Sequence, residues 1–208
     1  MKRKSTRATP IVEPDRSMRC HTCGRPIAGF ESVHYGSIEG GYRDLCNRCF
    51  NQEVAAAGEI DFTHVQFEPL EMPDAAGDTH RFHFEVHLLG DRLSLEAFEL
   101  VGGAPGGYQF QVLGDAEEDL FELMGQMVPR IRRLLAQQHL KTDEYMPGLH
   151  IANLLVRGRI TWDENEEGRL PMLVIDGKEI SWEQFGRMVM GFEGWQFKLE
   201  IRDRSEEV

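Results

Sequence analysis

The chain has 208 residues, with 23 basic and 35 acidic side chains and a formal charge of −12. Hydrophobic content of 41% with 28% charged residues fits a soluble globular chain and excludes wholesale disorder, and the length admits one good-sized domain or two small ones. No stretch approaches the roughly 20 apolar residues of a membrane span, the opening MKRKSTR lacks the apolar core of a secretion signal, and the acidic excess disfavours nonspecific binding to a polyanion.

Residues 1–17 carry Lys2, Arg3, Lys4, Arg7 and Arg16 against Glu13 and Asp15, so this stretch is +3 and the remainder −15. With Pro10, Pro14 and few apolar side chains it reads as a flexible basic arm. A solvated terminus accounts for it with fewer assumptions than a contact for phosphate or an acidic partner.

Residues 18–58 form a cysteine-bearing module. Cys20-His21-Thr22-Cys23-Gly24 is followed, 22 residues later, by Cys46-Asn47-Arg48-Cys49. Two C-x-x-C pairs at this separation point to zinc, because each pair bends the backbone until two sulfurs converge and four thiolates then close a tetrahedron. Gly24 lacks the Cβ that would obstruct the tight turn. Cys46 and Cys49 stand where a helix begins, running through Phe50 to Ala57 and stopped at Gly58. Val33–Ile38 and Tyr42–Leu45 flank Glu39-Gly40-Gly41 as a hairpin. A redox C-x-x-C belongs at a strand-to-helix junction of a βαβ unit, which is missing, and disulfides need an oxidising compartment. His21 and His34 could replace a sulfur, but four cysteines already satisfy the metal. Cys20, Cys23, Cys46 and Cys49 are therefore the expected ligands of one structural Zn2+ ion, which holds together a module too small for its own core.

Knuckle, hairpin and a helix carrying the second pair is the order of a treble clef, and residues 20–57 resemble a treble-clef zinc finger in the CHTCG and LCNRC motifs. The resemblance implies a metal and a fold. Treble clefs serve nucleic-acid binding, protein interaction and, with added residues, nuclease chemistry. No histidine–asparagine–histidine nuclease constellation follows here.

Residues 59–78 contain a possible strand, Phe62 to Phe67, and then Pro69, Pro73 and Gly77, and read as a linker. From 79 to 145 the pattern gives three strands and a helix. In Arg81–Leu89, Phe82, Phe84, Val86 and Leu88 alternate with His83, Glu85 and His87, a strand with one buried face. Gly90-Asp91 turns into a second strand, Arg92–Val101, and a glycine-rich loop, Gly102 to Gly107, leads to a third, Tyr108–Leu113. That loop lacks the lysine and hydroxyl of a phosphate-binding loop and reads as a hairpin connection. Asp115 and Glu118 form a capping box for a helix with the stripe Leu120, Leu123, Met127, Ile131 and Leu135, bent at Pro129.

From 146 to 208 the logic repeats. Leu154 to Trp162 alternates, an acidic loop runs from Asp163 to Gly168, and Leu170–Ile175 is a strand ending in the Asp176-Gly177 turn. Ser181 and Gln184 cap a short helix, and Trp195–Ile201 alternates as a last strand. Trp162, Trp182 and Trp195 are expected in the core. The patterning is compatible both with two small domains and with one continuous sheet formed by the two sheet-plus-helix units. The stretch 176–203 is similar to the ending of bacterial proteins grouped as a family of unknown function, which implies a bacterial, cytoplasmic protein and no activity.

The fold class expected is α+β, an N-terminal zinc finger followed by antiparallel sheets each covered by a helix. His80, His83, Glu85 and His87 invite a second metal or an acid–base site, since 83, 85 and 87 share a strand face; the wet face of an amphipathic strand explains them more simply. No nucleophile with a base, dinucleotide fingerprint or zinc-protease motif appears. The functional expectation is a zinc-binding, non-enzymatic interaction or regulatory protein with a protein partner. The alternatives are a nucleic-acid regulator using the arm and finger, and a metal enzyme on the His83/Glu85/His87 face. The finger is expected to unfold alone when a cysteine is lost.

Overall fold

A computed structural model describes residues 18–142 and 148–206; the basic arm read at 1–17 lies outside them. The first elements are the short pair β1 (Met18–Arg19) and β2 (Pro26–Ile27), then the hairpin β3 (Ser32–Ser37) and β4 (Gly41–Cys46), then α1 (Asn47–Gly58). α1 ends one residue later than Gly58 predicts, because the left-handed residue is Glu59 (φ 54°). Ile27, Leu45 and Phe50 pack with three of the cysteines in a small core of their own.

The body is a four-stranded antiparallel sheet in the order β5 (Leu70–Pro73), β6 (Thr79–Leu89), β7 (Arg92–Val101), β8 (Ala104–Asp115). The loop expected at Gly102–Gly107 shrinks to a two-residue turn and β8 starts at Ala104 instead of Tyr108, because Gly102 (φ 61°) and Gly103 (φ 85°) are both left-handed, the twist-matched hairpin geometry that L side chains resist. One face of the sheet, with Phe82, Phe84, Val86, Leu88, Leu95 and Val112, is covered by α2 (Leu120–Leu135) through Leu123, Met127, Ile131 and Leu135. The period-two and three-four patterns thus meet in one core. α2 continues through Pro129 as a single helix. Its N-cap is Asp119, whose carboxylate accepts from Phe121 N at 2.8 Å; the expected capping box instead closes a turn before the helix, with Glu118 accepting from Asp115 N at 3.2 Å.

The stretch read as a linker carries β5, paired Leu70↔Phe82 to Pro73↔Thr79. No strand forms at 62–67; Phe62, Val65 and Phe67 pack against the main core from an irregular segment, because three side chains reaching one face at spacings of three and two cannot follow a pleat.

The C-terminal part begins with the short pair β9 (Leu140–Thr142) and β10 (Leu149–Ile151), which the pattern did not reveal. Then come β11 (Arg159–Trp162), β12 (Pro171–Ile175), β13 (Lys178–Ser181) and α3 (Trp182–Val189). β11-β12-β13 is a sheet separate from that of the body. Its turn, Asp176 (φ 51°) and Gly177 (φ 70°), has the predicted geometry, and the Ser181–Gln184 capping box is present. Trp195–Ile201 joins no strand, and Leu154–Gly158 also lies outside one. Trp162, Trp182 and Trp195 are exposed and not in the core. Local alternation makes these segments suited to a sheet, but a ladder needs a neighbouring edge. Among the described residues, no helix is long and apolar enough to cross a membrane.

Candidate metal centre

The first cysteine pair sits on a knuckle between β1 and β2. Cys20 N donates to Arg25 O and Gly24 N to Cys20 O, both at 2.9 Å, with Gly24 left-handed at φ 72°. Cys46 is the N-cap of α1 and Cys49 lies in its first turn, one helical turn apart and on one side. The knuckle is held to the hairpin by His21 N donating to Asp44 O at 2.9 Å. Glu53 on α1 then accepts from Thr22 Oγ1 at 3.2 Å and pairs with Arg43 of β4 at 2.6 Å. One carboxylate thereby ties knuckle, hairpin and helix around the sulfurs.

The four Sγ atoms all lie within 4.8 Å of one another, and Cys23 and Cys46 are 3.9 Å apart. Sulfurs at tetrahedral positions about 2.3 Å from one ion are about 3.8 Å apart, so the donor set fits a single tetrahedral cation. Cys20, Cys46 and Cys49 are buried and Cys23 is exposed. Burial pushes the Cys20 thiol up, but hydrogen bonds from the amides of Cys23, Cys46 and Thr22 outweigh it and bring it down to about 6. Burial and hydrogen bonding to the other three sulfurs push Cys49 well up. Four crowded thiols cannot all ionise without a cation to neutralise them, and four protein donors leave no open position for substrate. Neither His21 nor His34 joins the group; His34 Nδ1 lies 3.1 Å from Asp44 instead.

The His83/Glu85/His87 face is not wet: the finger lies on it. Phe30 meets Phe98 edge-on at 5.7 Å and His83 at 6.4 Å, and Phe50 meets His87 at 6.2 Å. His87 Nε2 is 3.0 Å from Asn47 Oδ1, between the two cysteines of the second pair. Burial lowers the pKa of His83 and His87 and pushes Glu85 up to about 8, the latter helped by Glu31 and by Glu96 opposite it on β7. Among the described residues, only the four cysteines form a cluster able to hold an ion; successive same-face residues of one strand project in parallel and do not converge. His80 faces elsewhere, between Glu99 (2.8 Å) and Asp74 (3.4 Å), which raise its pKa.

Asn51 and Asn47 on α1 are functional in this interface and carry no sequence signal. β5 pairs with 79–82, so among the described residues the outer edge of β6 beyond residue 82 has no strand beside it. Asn51, fully buried, fills that edge: its Nδ2 donates to Val86 O at 2.7 Å and its Oδ1 accepts from Leu88 N at 2.8 Å. The second Nδ2 hydrogen points to His64 Nδ1 at 3.0 Å, an acceptor only while that ring is neutral; burial, then Arg25 and Arg48, bring His64 down to about 4.

Three family matches divide the chain in succession, each described only as a domain of unknown function: DUF7685 over residues 19–61, DUF7686 over 63–136 and DUF7713 over 139–206. No curated protein and no solved structure matches the chain.

Proposed function

We propose that Cys20, Cys23, Cys46 and Cys49 hold one structural Zn2+ ion in a treble-clef finger, and that the chain is a non-enzymatic interaction or regulatory protein acting through a protein partner. The observation that carries the metal reading is the gathering of four sulfurs at tetrahedral spacing. The knuckle, hairpin and helix order of residues 18–58 supports the finger type. All-sulfur coordination favours zinc over harder cations, and free thiols suit a reducing compartment such as the bacterial cytoplasm. A closed ligand set supplies rigidity and no chemistry, so the ion serves the fold and the activity lies in binding. The charge of −12 weighs against nucleic acid as that partner, whereas the exposed apolar side chains of the C-terminal part favour a protein surface. Elemental analysis of protein purified without chelator tests the reading: one zinc per chain, lost with Cys49→Ser, is expected, and protein free of zinc yet fully folded would overturn it.

A further inference from the structure

We propose that the chain pairs with a second copy of itself, residues 195–201 of one copy adding as a strand to the open edge of β11 in the other. The inference rests on the interaction reading above, whose partner it names, and is independent of the metal.

Trp195, Phe197, Leu199 and Ile201 alternate with Gln196, Lys198 and Glu200. This is a strand sequence of aromatic and aliphatic residues with one apolar face. The segment nevertheless stands outside any ladder: its four apolar side chains are 64%, 89%, 72% and 67% exposed. Among the described residues, no backbone hydrogen bond engages 196–201.

The receiving edge lies in the same part of the chain. Among the described residues β11 pairs only with β12, which leaves its other side without a strand partner. Ile160 lies opposite Leu173, and Leu173 opposite Ile180, so these share one sheet face. Phe185 and Met188 of α3 cover that face over Ile175 and Ile180, but not over β11, where Ile160 and Trp162 are 55% and 66% exposed beside a hollow of about 380 Å3. A strand laid against β11 would pair its edge and cover this apolar remainder together.

In its own chain the segment makes no such pairing. Its start follows the turn after α3, which Trp195 N closes by donating to Phe192 O at 3.0 Å. Beyond its end, Arg130 of α2 donates to Ser205 O at 2.8 Å and to Arg204 O at 3.3 Å, while Arg204 pairs with Glu96 at 2.5 Å. Residues 195–201 are thus a strap between the turn after α3 and a C-terminal flank bonded to the body, with its apolar side chains presented outward. Each copy carries one unpaired strand and one unpaired edge, so two copies related by a two-fold axis satisfy both. At about 150–250 Å2 per aromatic side chain, Trp195, Phe197 and Trp162, at 64%, 89% and 66% exposure, offer roughly 330–550 Å2 per chain, to which Ile160, Leu199 and Ile201 add toward the roughly 800 Å2 that each partner buries in a standard interface.

The test is light scattering and sedimentation on the intact chain from about 1 to about 100 μM, at or above the μM-to-pM dissociation constants of standard-size interfaces, with zinc content measured on the same samples. The wild type is expected at twice the 23.8 kDa chain mass. Phe197→Glu on the strap and Ile160→Lys on the edge should each give a monomer, and mixing the two variants should restore a heterodimer, since one intact strap then meets one intact edge. Amides 196–201 should be protected from hydrogen exchange in the wild type and exposed in each variant alone. A wild-type monomer at every concentration, a dimer surviving Phe197→Glu, or variants that do not complement on mixing would each overturn the pairing, and in zinc-loaded protein would leave the metal reading standing.

Discussion

Asn51 accepts a hydrogen bond from the amide of Leu88 at 2.8 Å while donating to Val86 O at 2.7 Å, so one side-chain amide takes the place of a missing strand beside β6. The residue sits two positions after the last cysteine of the metal cluster, on a helix whose Ala55 belongs to the core under α2. The finger and the body are consequently joined by buried polar bonds and a shared apolar contact. Isolated unfolding of the finger, expected from the sequence, does not fit this arrangement.

Asn51→Ala should leave Val86 O and Leu88 N buried without partners. At about 1–3 kcal/mol for each unsatisfied group, global stability should fall by roughly 2–6 kcal/mol, with the amide of Leu88 losing its hydrogen-exchange protection first. Asn51→Asp should be as damaging, since it loses both donated bonds and buries a charge. Chemical denaturation followed by far-ultraviolet dichroism measures the loss; a change below about 0.5 kcal/mol would contradict the role given to this side chain.

Metal removal should propagate through the same contact. With a strong chelator, or in Cys49→Ser, the thermal transition should move down as a whole, with the tryptophan-free sheet β5–β8 losing exchange protection along with residues 18–58. The cause is that α1 can neither keep its position on β6 nor its own first turn once the sulfurs repel or disperse. A body whose midpoint is unchanged by chelation would show that the coupling is too weak to transmit the loss.

Glu85 gives the fold a pH dependence of defined sign. Its pKa in the folded chain is raised to about 8 from an ordinary value of 4.5, first by burial and then by Glu31 and Glu96. A group raised on folding contributes its full stability below its unfolded pKa and loses it as pH climbs through the folded one. Wild-type stability should therefore decline between about pH 4.5 and 8 from this residue. Glu85→Gln should melt several degrees higher than wild type at pH 8.5 and about equally at pH 4. His64 acts in the opposite sense: lowered to about 4 by burial, it costs stability as pH falls from its unfolded 6.5, and Asn51 loses an acceptor. Differential scanning calorimetry of wild type and Glu85→Gln across this range separates the two; equal alkaline slopes would count against Glu85.

Asp176 anchors the C-terminal sheet. Its Oδ2 accepts from His139 N at 2.8 Å and Leu140 N at 2.7 Å, while Gly177 beside it packs against the Tyr108 ring of β8. Asp176→Ala should cost about 2–3 kcal/mol, from two unsatisfied amides and a left-handed residue made less tolerant. Asp176→Asn, which keeps an acceptor and the turn preference, should cost less than half of that. Urea denaturation ranks the two variants, and equal losses would show that charge and not hydrogen bonding holds the turn.

Much of the local structure was legible in the residues. Cys20 and Cys23, Cys46 and Cys49 announce a converging set because two-residue spacings in a turn and a helix start fix where sulfurs point. Asp176-Gly177 specifies its turn through backbone conformation alone, and α2 follows from its apolar stripe. These features are short-range, set by steric preference within a few residues.

Which surfaces meet was decided only by tertiary packing. The alternation of His83, Glu85 and His87 with apolar neighbours reads as a face turned to water, and it becomes an interface because the finger, held rigid by contacts some 30–60 residues away, lies on it. The alternation from Trp195 to Ile201 reads as a strand, yet hydrogen-bonded pairing requires an edge that this chain does not bring to it. Periodicity is a property of the segment, whereas burial and pairing are properties of what arrives from elsewhere in the molecule.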